Sequence, residues 1–414
     1  MNPSKEKLDS AGFTRREGLL ALVGAVAALS GCGGGGDGAG IASVASVGSG
    51  GTGSFSSGAI TGFGSIIVNG VRFDDSQARI TDDEGMVHNA ADLKLGMVVS
   101  ITASSVTTGV DGTSSATATT ITFGSELRGA ITSISGQTLV VLGQTVQVGA
   151  DTVFDDGIVG GLAGLLVGQI IEVHGFIDPS TNQILATRIE RDATAATLKL
   201  QGQVQALDMT AKTFAIGSLT ISFAGIAAAA LPTNLANGLV VQVVLAPAPA
   251  TGTRVALSVR PLTQQVEDHA QAELEGTVTA FTSIASFSVN GVAVDASMAA
   301  FPNGSAALKL GARVEVKGST VNSVVVATEV KVENEAEVEN QEFEIHGTVT
   351  NMNAAGKTFV IRGVTVSFAG TVRFDNGDAT KLATVNGTPA IVEVRGTNNA
   401  ATNSVTATRI TFDN

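Results

Sequence analysis

The sequence predicts an all-β protein of five tandem, small, five-stranded antiparallel barrels, OB-like in type. Three observations carry that expectation. First, a tetrapeptide opened by glycine recurs five times: Gly58-Ala59-Ile60-Thr61, Gly129-Ala130-Ile131-Thr132, Gly202-Gln203-Val204-Gln205, Gly276-Thr277-Val278-Thr279 and Gly347-Thr348-Val349-Thr350. Its glycines stand 71, 73, 74 and 71 residues apart. Second, a later glycine in each copy (Gly96, Gly168, Gly238, Gly311, Gly387) precedes a run that alternates apolar and polar residues, as in Ile171-Glu172-Val173 and Val392-Glu393-Val394. Period-two alternation marks a half-buried strand. Third, turn chemistry separates short runs: Asn69-Gly70 and Asn290-Gly291 are hairpin signals between the second and third strands. Five short strands with a longer link after the third suggest a small closed barrel. An open meander or another barrel order would use the same strands.

The first residues read as an address. Arg15 and Arg16 precede an apolar run, Gly18 to Leu29. It is too short to span a bilayer, which takes roughly 20 residues, and it fits the apolar region of a signal peptide. Leu29-Ser30-Gly31-Cys32 resembles the lipobox of bacterial lipoproteins, and Thr14-Arg15-Arg16 resembles a twin-arginine export signal, without the usual Phe two positions on. Residues 1–31 are therefore expected to be a signal peptide and Cys32 a lipidation site, its acyl chains holding the protein to a membrane. Gly33, rather than Asp, after the cysteine favours the outer membrane by the same resemblance. Cys32 is the single cysteine, so no intrachain disulfide is possible. Residues 32–57 are Gly, Ser and Ala with little else, a flexible tether of about 28 Å root-mean-square length.

The repeats follow, expected at 58–125, 126–198, 199–262, 263–340 and 341–414. The fourth copy ends in an acidic stretch, Val332 to Ile345, read as a solvated edge or linker, and a cut there is expected to leave folded pieces. Most copies close on Ala-Thr-x-Ile/Val, as at Ala186-Thr187-Arg188-Ile189, Ala327-Thr328-Glu329-Val330 and Ala407-Thr408-Arg409-Ile410; the third has Ala256-Leu257-Ser258-Val259. A further phrase recurs at the head of the longer link: Phe73-Asp74-Asp75, Phe154-Asp155-Asp156 and Phe374-Asp375-Asn376. The fourth copy has Phe301-Pro302-Asn303-Gly304 there and the third lacks it. A ligand site would need the charge; a turn does not. Asp and Asn beside Gly or Ser initiate turns through their own backbone, so the phrase is read as a turn.

The Gly-x-Ile/Val opener, Thr152-Val153-Phe154-Asp155-Asp156, the Gly168 strand and the Ala186-Thr187-Arg188-Ile189 close together resemble the bacterial domain-of-unknown-function family numbered 5666. Members occur singly or in tandem in exported lipoproteins, and the likeness extends over nearly all of residues 58–412. The resemblance implies the fold and the address and no activity.

The sharper chemical motifs weaken on inspection. Gly356-Lys357-Thr358 mimics the end of a P-loop, but Asn351 stands where the first glycine belongs, and the stretch joins two strands. His88, His174, His269 and His346 are scattered, with no metal partner at helical spacing. No cofactor, metal or catalytic residue is expected. A net charge of −13 disfavours a nucleic-acid partner, and the absence of Trp and Tyr removes the usual stacking platforms. The expected role is non-enzymatic: a lipid-anchored cell-envelope scaffold or adhesion module, with an unknown protein or polysaccharide partner. The second reading is a binding protein for an envelope polymer or divalent cation; the third is an envelope enzyme of unknown reaction. Any binding is expected in the variable loops between strands four and five.

Overall fold

The computed structural model describes residues 52–110, 112–247, 252–333, 342–385, 387–400 and 402–413. The segment expected to be a signal peptide, Cys32 and most of the acidic stretch lie outside the described residues. From Thr52 onward the described chain contacts itself as one unit. It is all β, with only short 3-10 turns besides.

Each repeat follows one strand order. In repeat 2 the first strand, Leu127–Ser135, pairs antiparallel with the second, Thr138–Val141, and with the fourth, Ile170–Asp178. The third, Gln144–Phe154, pairs with the second and runs parallel to the fifth, Gln183–Arg191, which returns to the fourth. The ring is closed in the order 1-2-3-5-4. Repeat 4 closes in the same way around His269–Ser283. Two expectations are corrected here. The barrels are mixed rather than antiparallel, because the third and fifth strands lie parallel in every repeat. Two barrels close with unbroken ladders, not five. In repeats 1, 3 and 5 the first strand divides in two, at Ile60-Thr61, Val204 and Val349. The same bend is only a bulge in the closed pair, after Ile131 and after Val278.

The recurring glycines have a backbone reason. The second glycine lies at φ +80 to +93° in the first four repeats, a region that side-chain-bearing residues rarely adopt. There its N–H donates to the carbonyl of Ile60, Ile131, Val204 or Val278, at 2.8–2.9 Å. Repeat 5 departs from this frame. Val349 N bonds Ala390 O, so the equivalent slot is Pro389, which has no N–H; Gly387 belongs to a small extra hairpin.

The repeats are not beads in sequence order. The strand Ser54–Ala59 lies between Val98–Ala103 of its own repeat and, in parallel, the first strand of repeat 4. It begins inside the segment expected to be tether. Its serines are small enough to be enclosed, and Ser54, Ser56 and Ser57 are all buried. Gly62–Phe63 pairs parallel with Glu342–Thr348 of repeat 5. Repeats 2 and 3 join through Leu127 and Leu200. Three cores result. One merges repeats 1 and 5 around Phe73, Ile101, Phe359 and Ile410; one merges repeats 2 and 3; one belongs to repeat 4 with Phe55 added.

Candidate functional site

The Phe-Asp-Asp phrases form turns, as expected. Phe73 and Phe154 fill cores and Phe374 is half-buried. Asp74 Oδ1 accepts Ser76 N at 3.1 Å and Asp155 Oδ2 accepts Gly157 N at 3.3 Å. Asp375 pairs with Arg373 and Arg409, and Asn376 bonds Phe412 O. Gly356-Lys357-Thr358 is the tip of a hairpin: Asn353 Oδ1 caps Gly356 N at 2.9 Å, and Lys357 takes φ +50°. Lys212 takes φ +54° in the same turn of repeat 3.

The four histidines stay apart. His88 bonds Asp82 at 3.0 Å and His346 bonds Asp413 at 2.9 Å. His174 and His269 are buried and turn Nδ1 to the backbone oxygens of Gly124 and Thr52. Among the described residues no group of three or more His, Cys, Asp or Glu side chains is arranged to hold a metal ion. Two of the loops between strands four and five dock inside the molecule. Asn182 of repeat 2 accepts Gln203 N of repeat 3, and Asn403 of repeat 5 accepts Phe154 N of repeat 2.

The described residues bring a different set of polar groups together. The acidic turn Asp82-Asp83-Glu84 of repeat 1 is shaped by Asp82, whose Oδ1 accepts Glu84 N and Met86 N. The turn presents Asp83 to repeat 3. Lys199 Nζ donates to both Asp83 oxygens, at 2.9 and 2.8 Å, and Gln242 Nε2 donates to one at 2.5 Å. Arg260 Nη1 reaches Asp83 O at 3.3 Å. Arg128 of repeat 2 reaches Glu84 at 3.2 Å. Gly124 permits the approach, since a Cβ there would sit 2.4 Å from Asp83 Oδ2. Glu126 lies alongside, accepting Gly175 N at 2.6 Å. Burial pushes its carboxyl up to about 8, against the opposing pull of Lys199. Asp83, Glu126, Gln242 and Arg260 border a cavity of about 460 Å³ where repeats 1 to 4 converge.

A larger cavity, about 810 Å³, separates repeat 2 from repeats 1, 4 and 5. Its cation is already engaged: Arg313 lies 4.1 Å over the Phe176 ring and pairs with Glu275 at 2.7 Å and Glu333 at 3.3 Å. Burial lifts Glu275 to about 7, although Arg313 opposes it. Sequence reasoning passed over Asp83, Glu126, Lys199, Gln242 and Arg260. No local signal marked them: Leu198-Lys199-Leu200-Gln201 alternates as a half-buried strand does, and the structure buries both of its faces.

Three stretches of the chain, 128–190, 275–331 and 346–411, match the model of one family, the Domain of unknown function (DUF5666). The chain carries tandem DUF5666 domains. They coincide with repeats 2, 4 and 5, so the match is narrower than the likeness read from the sequence. Repeats 1 and 3 share the strand order of the DUF5666 domains without matching the family model. Repeat 3 lacks the Phe-Asp phrase and the Ala-Thr close, and repeat 1 has extra short strands at Val87–His88 and Thr107–Thr108. A search of curated proteins found no match.

Proposed function

We propose that this is an exported, non-enzymatic scaffold or adhesion protein of the cell envelope, held to a membrane, the outer one in a two-membrane cell, by acyl chains on Cys32. Five repeats form its body, and repeats 1, 3 and 5 are barrels of the same design, bent at the first strand. One observation carries the scaffold reading. Charged groups are used to tie repeats to one another: Asp83 with Lys199, Arg188 with Leu95 O, and Arg72 with Glu344 and Glu393. Such pairs fix register and orientation more than they add stability. The lone cysteine behind a short apolar run supports the address. Cys32→Ala is expected to move the protein from the membrane fraction to the soluble one. Retention of the variant in the membrane fraction would refute the anchor. The cavity between repeats 1 to 4 favours a second reading, a binding protein that holds an envelope polymer by one end or side unit.

A further inference from the structure

The cavity where repeats 1 to 4 meet has an uneven charge arrangement. Asp83 lines the space, and Lys199, buried behind it, cancels its charge. Glu126 is held neutral below about pH 8 by burial, so it faces the space as an acid with a proton to donate. Arg260 is different. It is exposed, it directs one nitrogen to a backbone carbonyl, and among the described residues no carboxylate pairs with it. Around it stand amide groups with open capacity. Gln242 donates to Asp83, and its carbonyl has no hydrogen bond among the described residues. Gln264 accepts from Ser100 at 3.2 Å, and its amide nitrogen is likewise without a bond there. Phe55 adds an apolar wall.

An uncompensated guanidinium selects a planar oxyanion, which it can grip with two parallel N–H donors. Amides that both donate and accept suit hydroxyl groups, which do the same. An apolar wall suits the C–H face of a ring. The volume, about 460 Å³, is that of a small-molecule site and not of a polymer groove. We infer that this cavity is a binding site for a single sugar acid, a carboxylate-bearing polyol of the uronate class, with Arg260 on the carboxylate and Gln242 and Gln264 on the hydroxyls. This goes beyond the scaffold reading and does not depend on the acyl anchor. A sugar acid as the end or side unit of an envelope polysaccharide would give the body a polymer to hold.

The test uses the full chain and three probes in calorimetric titrations: glucuronate, glucose and acetate. Glucuronate carries both chemistries, and each of the others carries one. Saturable glucuronate binding, about tenfold or more tighter than glucose or acetate, is expected. Arg260→Gln should abolish that advantage, and Gln264→Leu, outside the ion cluster, should weaken glucuronate several-fold while leaving the thermal midpoint unchanged. Three results would overturn the site: no saturable glucuronate binding, acetate binding as tightly as glucuronate, or a folded Arg260→Gln chain that binds glucuronate as the parent does.

Discussion

Glu126 shows how a single residue ties this molecule to pH. Its carboxyl is enclosed between repeats 1, 2 and 3, and burial keeps it protonated to about pH 8, while in the unfolded chain it ionises near its ordinary value of 4.5. Between those values the unfolded chain releases a proton that the folded chain keeps. Stability from this residue is therefore full below about pH 4.5, falls by about 1.4 kcal/mol per pH unit above it, and is lost once pH passes about 8. Glu275 and Glu273, both lifted to about 7 chiefly by burial, lose their contributions over a similar window. Glu126→Gln keeps the shape and removes the titration. Its thermal midpoint should differ little from the parent's near pH 5 and exceed it increasingly toward pH 8. A difference that stays constant across that range would mean Glu126 is not buried as described. None of this was legible in the sequence, since Ser125-Glu126 has the look of an ordinary polar connector. Its burial comes from three repeats closing over it.

At the scale of the element, the opener glycine and the hairpin between strands two and three are one device. A Cβ on Gly276 would lie 2.1 Å from Asn290, and one on Gly58 would lie 2.5 Å from Asn69. The turn residue of the hairpin crosses directly over the glycine. The turns themselves have positive φ at both central residues, at Asn69-Gly70, Leu142-Gly143, Asn290-Gly291 and Arg362-Gly363, the type I′ geometry that matches strand twist. Gly276→Ala should therefore destabilise the chain by about 2 kcal/mol or more through overpacking. Asn290→Gly alone should cost about 1–2 kcal/mol by losing the bonds to Thr277 N and Glu275 O. In the Asn290→Gly background, Gly276→Ala should cost well under 1 kcal/mol, a coupling that denaturant titrations of the four chains would measure. Simple additivity would exclude the crossing as the reason for the glycine. This level was the most legible. Gly58, Gly276 and the Asn-Gly pairs are local signals, and local geometry explains them. The direction of the third and fifth strands was not, because alternation is the same in parallel and antiparallel ladders. Nor was the break at Val204 and Val349, which the openers of repeats 3 and 5 do not distinguish from the bulges at Ile131 and Val278.

Over the whole molecule, the first repeat is completed by the last. Ile60, Phe73 and Ile101 share a core with Phe343, Phe359 and Ile410, and Gly62–Phe63 adds in parallel to the opening strand of repeat 5. Arg72 crosses the same boundary to Glu344 and Glu393. No pattern within either repeat reveals this, because the partners lie at opposite ends of the described chain. It changes what the acidic link means. The sequence alone suggests that a cut there releases four folded copies; the shared core says that the cut also uncovers the first. Contacts of such sequence separation slow folding, and repeats that pack on neighbours lose stability with them. The decisive measurement is hydrogen exchange on a chain ending at Glu339, compared with the full chain. Amides of Ile60, Ile66, Ile67 and Val68 should lose most of their protection although every residue of repeat 1 is present, while the strands of repeat 4, whose core is separate, keep theirs. Repeat 1 amides as protected as in the full chain would contradict a core shared between the first repeat and the last.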